Sequence, residues 1–206
     1  MANLQTHYLG MTLKNPLIAG ASPFSTVINL AKQLEEEGVS ALVMNSLFEE
    51  EVIHESLELD YYLNRGTESQ PEAQTYLPEP IVIKSAADRY LERLRKLKAA
   101  LQIPVMASLN GTTNGGWIDL AKEMESAGAD ALELNMYSVV ANSAVTPEQV
   151  ESEKVQLVHD VSKSINIPVA VKLSPFFTAL PNLMRRMEDA GARGFILFNR
   201  FMQPRS

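Results

Sequence analysis

The sequence predicts an α/β fold of the (β/α)₈ TIM-barrel type that contains about six βα units. Three observations predict it: strand and helix patterns alternate, the strands are apolar on both faces, and each strand has a polar residue at or just beyond its carboxyl end. The chain has 206 residues, which is the size of one domain. We therefore expect a single partial barrel over residues 1–206.

Two kinds of apolar segment alternate along the chain. In the first kind, a Gly ends a helical pattern and an apolar run follows it; these segments lie around Gly38, Gly128 and Gly191. In the second kind, a Pro stands at the start of a short apolar run. They predict strands at 17–21, 40–45, 104–109, 130–135, 168–173 and 194–199. Helical periodicity predicts helices at 26–37, 87–101, 116–127, 147–164 and 178–190. Equivalent positions recur about 64 residues apart, which indicates a duplicated βαβα unit.

The polar residues at the strand ends favour a barrel over an open doubly wound sheet. An open sheet concentrates such groups at its switch point, whereas a barrel gathers every strand end around one axis. These residues are Ser22, Asn45, Asn110, Asn135, Lys172 and Asn199. The segment HYLGMTLKN predicts a hairpin that turns at Gly10 and plugs the barrel floor. Residues 48–85 interrupt the repeat and predict a lid-like insertion after the second strand.

Composition excludes several classes of protein and site. The net charge of −7 and the absence of a basic block argue against nucleic-acid binding, and no stretch has the roughly 18 apolar residues of a membrane span. There is no Cys, hence no disulfide or catalytic thiol, and His7, His54 and His159 lack the spacing of metal ligands. We expect no metal. Without a signal-peptide pattern, a cytoplasmic location is expected.

Lys172 is the strongest candidate for chemistry, because an ammonium in an apolar strand needs an anionic partner. That partner is either a ligand group or a structural acid such as Glu133. The Asn residues at the strand ends either bind a planar heterocycle or cap loop backbone. Ser138 is a candidate proton acceptor or donor, and because a serine hydroxyl is a poor base on its own, it requires assistance from another group. The Glu49–Glu51 run predicts a solvated face, and Tyr61 and Tyr62 predict packing of the lid.

Five segments together resemble the flavin-dependent dihydroorotate dehydrogenases: YLGMTLKNPLIAGASPF, PVMASLNGTTNGGW, GADALELNMYS, VAVKLSPFF and GARGFILFNRF. The resemblance covers nearly the whole chain. It implies a barrel that holds FMN at the carboxyl ends of its strands. It also implies oxidation of dihydroorotate to orotate in pyrimidine biosynthesis, in which a base removes a proton and the flavin accepts a hydride.

The resemblance also implies roles for single residues. Ala21 and Ser22 match the first-strand contact to flavin, and Lys172 matches the lysine that stabilises negative charge on the reduced ring. Ser138 occupies the position of the catalytic base. Asn135 matches a residue that binds flavin or substrate, and Asn199 one on the substrate side. Asn45 stands where the family has a lysine, and with Asn110 it completes the expected cofactor contacts.

In the family, the FMN phosphate is bound after the seventh and eighth strands. The sequence is therefore expected to be truncated after the sixth barrel strand. One alternative is an inactive or split-gene fragment that needs a C-terminal partner; another is a barrel enzyme that acts on a phosphorylated metabolite. If the family is a guide, the protein is a homodimer that takes a small-molecule substrate.

Overall fold

The computed structural model describes residues 3–65, 85–110, 114–136 and 140–199. Its strands are β1 Thr6–Tyr8, β2 Met11–Leu13, β3 Ile18–Ala19, β4 Ala41–Val43, β5 Leu47–Phe48, β6 Val105–Asn110, β7 Ala131–Asn135, β8 Val169–Leu173 and β9 Gly194–Leu197. Its helices are α1 Ile28–Glu36, α2 Glu49–Arg65, α3 Ala86–Ala100, α4 Asn114–Ser126, α5 Pro147–Ser164 and α6 Leu180–Asp189, with a 3₁₀ turn at Pro23–Thr26. Each predicted strand and helix is present, and its bounds differ from the predicted ones by at most about two residues at either end.

The main sheet is parallel and has the order β3-β4-β6-β7-β8-β9, with β5 pairing alongside β6. The sheet curls into a half-barrel, and within the described residues β3 and β9 form its two edges. One core fills the space between the sheet and the helices, and a smaller core lies on the inner face. The predicted α/β partial barrel is therefore confirmed.

The predicted glycine caps and the internal duplication are both visible. Gly38, Gly128 and Gly191 have φ of +103°, +96° and +118°, a conformation that side chains other than glycine's rarely adopt. At two of these caps, a glutamate three residues before the glycine accepts hydrogen bonds from the backbone just before a later strand. Glu35 Oε1 accepts hydrogen bonds from the backbone N–H groups of residues 102 and 103, and Glu125 Oε1 accepts from residues 166 and 167. The same kind of contact therefore occurs twice, with backbone donors that lie 64 residues apart and glutamates that lie 90 residues apart.

The N-terminal hairpin forms as expected and packs on the inner face of the sheet. β1 and β2 are antiparallel and turn at Leu9 and Gly10, both with positive φ. Leu9 and Leu13 are buried in the inner core with residues from β4, β6, β7 and β8. Gly194 of β9 also lies under the hairpin, since a Cβ there would stand 2.7 Å from Leu9 Cδ2. The hairpin therefore fills the amino-terminal end of the half-barrel.

The insertion contains structure that the sequence analysis missed. β5 adds to the sheet, and α2 follows it directly and contacts the amino-terminal end of α3 through Glu55. The expectation that Glu49–Glu51 forms a solvated face is wrong at Glu49, which is 5% exposed because it begins α2 beside the paired strand β5. Residues 66–84 lie outside the described residues, so the lid remains a prediction. None of the described helices is both long and apolar enough to cross a membrane.

The hairpin contact predicts the effect of a methyl group at position 194. Gly194→Ala should lower the free energy of unfolding by about 1–2 kcal/mol, because the new Cβ collides with Leu9 and Tyr8. Urea denaturation measures this. In a Leu9→Ala background, Gly194→Ala should lower the free energy of unfolding by less, since Leu9 Cδ2, the atom that lies 2.7 Å from the new Cβ, is absent.

The matched control is Gly115→Ala, where a Cβ meets nothing within 4 Å and the residue is helical. It should be neutral or stabilise by up to about 1 kcal/mol. Equal losses of stability in Gly194→Ala and Gly115→Ala would contradict the packing of the hairpin on β9. Additive effects of Leu9→Ala and Gly194→Ala on the free energy of unfolding would also contradict it.

Candidate active site

Side-chain alternation divides the inner face of the half-barrel into an apolar and a polar level. On β7, Ala131 lies with the hairpin in the inner core, and the next inward residues are Glu133 and Asn135. On β8, Ala170 lies in the same core and Lys172 is the next inward residue. The parallel register places Glu133 beside Ser108, and Lys172 beside Asn135. Polar groups therefore converge at the carboxyl ends of the strands.

Glu133 is the centre of this polar level. Its Oε1 accepts a hydrogen bond from Lys172 Nζ at 2.8 Å and another from Ser108 Oγ at 2.9 Å. Ser46 Oγ lies 2.8 Å from Ser108 Oγ and extends the network towards β5. The Glu133 side chain is 4% exposed and that of Lys172 is 13% exposed. The carboxylate thus compensates the charge of a lysine that would otherwise be costly to bury.

Two asparagines form a second pair at the end of the strands. Asn199 Nδ2 donates to Asn135 Oδ1 at 2.9 Å, and the Asn199 backbone N–H donates to the carbonyl of Leu173. Asn135 is 8% exposed. Since Asn135 Oδ1 is engaged, its amide N–H₂ and the Asn199 carbonyl oxygen remain as groups that this pair can offer to a ligand. The amide pair places donors and acceptors next to Lys172.

A cavity of about 480 Å³ lies on the inner face. Its apolar lining includes Val43, Met106, Ala170 and Ile196, and its polar lining comes from the following side chains: Tyr8, Glu133, Lys172 and Asn199. Burial and the nearby Glu133 carboxylate raise the pKa of Tyr8, so this phenol is neutral at physiological pH. The cavity has the size and the mixed lining of a small-molecule site.

The structure brings some of the predicted site residues together and separates others. Lys172, Asn135 and Asn199 form the polar level, and Ala21 lines the cavity. Ser22 precedes the 3₁₀ turn, where its carbonyl accepts from Ser25.

Asn45 lines a separate pocket of about 220 Å³, where its Oδ1 lies 3.4 Å from Arg93 Nη1 and its backbone N–H donates to Ser25 Oγ. Asn110 ends β6 in register with Phe48 of β5 and is half-buried. Ser138 lies outside the described residues. The contribution of these three residues to a cofactor or substrate site therefore stays a prediction.

Sequence reasoning missed Ser108 and Tyr8 as site residues. Ser108 was detectable, because it precedes Asn110 by two residues and so shares its face of the strand. Tyr8 carried no comparable signal, since its position depends on how the hairpin packs against distant strands. The structure confirms Glu133 as the acid that pairs with Lys172.

The buried pair predicts a specific pattern of stability. Glu133→Gln should lower the free energy of unfolding by about 3 kcal/mol, because Lys172 stays buried without its anionic partner. The double variant Glu133→Met with Lys172→Met removes both charges and should cost less than Glu133→Gln alone. Urea denaturation of the unchanged protein and of these two variants tests this, and a double variant that loses as much stability as Glu133→Gln, or more, would contradict the coupling.

Comparisons with known proteins support the resemblance seen in the sequence. The chain is 23% identical over 97% of its length to dihydroorotate dehydrogenase A (fumarate) of Lactobacillus delbrueckii subsp. bulgaricus. It is 24% identical over 95% of its length to the catalytic subunit of dihydroorotate dehydrogenase B (NAD(+)) of Methanocaldococcus jannaschii. It spans 64% and 62% of the lengths of these relatives. No protein-family model matches the chain.

A solved structure shows the same fold. The IMP dehydrogenase/GMP reductase-like protein of Corynebacterium glutamicum superposes with a TM-score of 0.54 at 14% identity, over 95% of this chain and 48% of that one. At this identity the likeness shows the fold alone. The resemblance of the chain to dihydroorotate dehydrogenases therefore rests on the sequence matches, which run along nearly all of it.

Proposed function

We propose that this chain carries the flavin-facing part of an FMN-dependent oxidoreductase that converts dihydroorotate to orotate. The observation that carries the proposal is the polar level of Glu133, Lys172, Asn135 and Asn199 above an apolar cavity. The relatives that match along the chain are named dihydroorotate dehydrogenases, which gives that constellation its reaction.

The chemistry of the cavity fits the ring of a flavin. A flat, largely apolar ring with a polar edge needs an apolar floor and a few donors and acceptors on one side. Val43, Met106 and Ala170 supply the floor, and Lys172 with the amide pair supplies the polar side. Gly20 adds space, since even a Cβ there would meet nothing within 4 Å.

Lys172 is the residue that meets negative charge in this proposal. FMN, when bound, supplies the two-electron oxidant for the CH–CH group of the substrate. The Lys172 ammonium has three N–H donors, and its bond to Glu133 uses one of them. The remaining donors can stabilise an anionic group in the cavity, while Glu133 holds the ammonium in place.

Ser138 and the amide pair complete the proposed roles. Asn135 and Asn199 orient the substrate through amide hydrogen bonds, and Ser138 relays the proton that leaves the substrate carbon, since its hydroxyl takes up that proton as it gives its own to water. The network of Ser46, Ser108 and Glu133 keeps the carboxylate and its neighbours ordered between β5 and β8. Asn135, Lys172 and Asn199 lie at the carboxyl ends of their strands, which is the end where barrels carry their active sites.

A second candidate function is that of a fragment completed by a C-terminal partner. It is favoured by β9, which is an edge strand within the described residues and where Leu197 is 50% exposed, and by the cavity, whose lining includes residues 195–199. A paired strand at this edge would cover both. On this candidate, flavin binding would require co-expression with the C-terminal third of a relative such as the Lactobacillus delbrueckii enzyme.

Flavin binding tests the first candidate. After addition of FMN and removal of free flavin, the purified chain should retain visible flavin absorbance. Lys172→Met should weaken FMN binding by about tenfold or more, because a charge-assisted hydrogen bond is lost. Asn199→Ala, which leaves the ion pair in place, should also weaken it. Quenching of flavin fluorescence measures all affinities.

Lys122→Met is the matched control, since it removes a lysine from the exposed face of α4. It should bind FMN as the unchanged protein does. If folded protein retains no flavin alone but does so with the C-terminal segment, the second candidate is correct. If neither preparation binds FMN, both candidates fail.

A further inference from the structure

The charge of the candidate active-site cavity depends on one ion pair, which is formed by Glu133 and Lys172. Among the described residues that line the cavity, no other side chain is charged, and Tyr8 and Asn199 are the other polar ones. Apolar surroundings screen charges less than water does, so each charge acts strongly on a ligand in the cavity. The balance between one carboxylate and one ammonium therefore sets the electrostatic potential of the site.

The hydrogen bonds of this ion pair all involve a single oxygen of the carboxylate. Lys172 Nζ donates to Glu133 Oε1 at 2.8 Å, and Ser108 Oγ donates to the same oxygen at 2.9 Å. Within the described part of the chain, Glu133 Oε2 accepts no hydrogen bond, and Lys172 Nζ donates only to Oε1. The carboxylate therefore competes with any anionic ligand in the cavity for the lysine ammonium.

The negative charge of Glu133 also acts on a ring that lines the same cavity. Burial, and to a smaller extent the Glu133 carboxylate, raises the pKa of the Tyr8 phenol. A carboxylate that disfavours negative charge on this phenol also disfavours negative charge on a ligand ring in the cavity. Lys172 has the opposite effect on such a ring, because its ammonium attracts negative charge.

We propose that Glu133 is a positioning residue that sets, through Lys172, how strongly the site prefers reduced FMN over oxidised FMN. The inference rests on the function proposed above. Reduced FMN carries more negative charge on its ring than oxidised FMN, so the Lys172 ammonium favours the reduced form. Glu133 limits this preference, because it holds the ammonium and partly neutralises its charge. The site can then receive electrons from the substrate and still release them to an acceptor.

The ratio of the dissociation constants for oxidised and reduced FMN tests the inference, measured anaerobically with FMN and with dithionite-reduced FMN. Glu133→Gln should raise the preference for reduced FMN about tenfold, because the ammonium no longer shares its charge with a carboxylate. For a two-electron couple, tenfold corresponds to a rise of about 30 mV in the potential of the bound flavin. Lys172→Met should shift the ratio in the opposite direction.

Two further variants separate the role of Glu133 from its effect on folding. Glu133→Asp keeps the charge that compensates Lys172 but is one methylene shorter, so it should shift the ratio in the same direction as Glu133→Gln and by less. In a Lys172→Met background, Glu133→Met should change the ratio by less than about threefold, because the ammonium through which Glu133 acts is absent. A tenfold change in that background would contradict the action through Lys172.

Glu151→Gln is the matched control, and it should leave the ratio unchanged. Glu151 forms an ion pair of similar length with Arg186, at 2.9 Å between Oε2 and Nη1, and it does not line this cavity. If both forms of FMN bind, an unchanged ratio in Glu133→Gln and Glu133→Asp, or an equal shift in Glu151→Gln, would overturn this inference alone. Failure of both forms to bind the unchanged protein, with or without the C-terminal segment, would overturn the proposed function as well.

Discussion

The carboxylate of Glu133 is the constraint on which the inner face of this half-barrel depends. A carboxylate that is 4% exposed needs compensation, and Lys172 and Ser108 provide it from the two neighbouring strands. The contact links β6, β7 and β8 through side chains as well as through the backbone ladder. It also determines where the lysine ammonium points, and hence where the inner face can receive an anionic group.

The two levels of the inner face have different physical roles. At the amino-terminal end, Leu9 and Leu13 of the hairpin pack on small residues such as Ala41 and Ala131, which makes an apolar floor. At the carboxyl end, longer polar side chains replace them and leave a cavity. This arrangement agrees with the general division of barrels into a stabilising end and a functional end.

Much of the fold was predictable because its signals are local. Apolar strands, helical periodicity and Gly caps at residues 38, 128 and 191 depend on short stretches of chain, and the structure has each of them. β5 was not predictable in this way, since two residues of strand form only where β6 is available as a partner. Glu49 is buried for the same reason, although its charged neighbours in the sequence indicate a solvated helix.

The site was predictable in part. The ends of β7 and β8 identify Asn135 and Lys172, and the apolar context of the lysine indicates an acidic partner, which is Glu133. The direction of Asn45 could not be read from its position at a strand end, because its amide contacts Arg93 of α3, a helix about fifty residues further along the chain. Long-range packing of this kind leaves no periodic pattern in the sequence.

The most direct test of the proposed function is anaerobic addition of dihydroorotate to the FMN-loaded protein, followed in the visible spectrum. We expect loss of the oxidised flavin absorbance, with one orotate formed for each flavin reduced. A spectrum that stays unchanged with excess dihydroorotate, in folded protein with bound FMN, would contradict the assignment of this reaction to the site around Lys172.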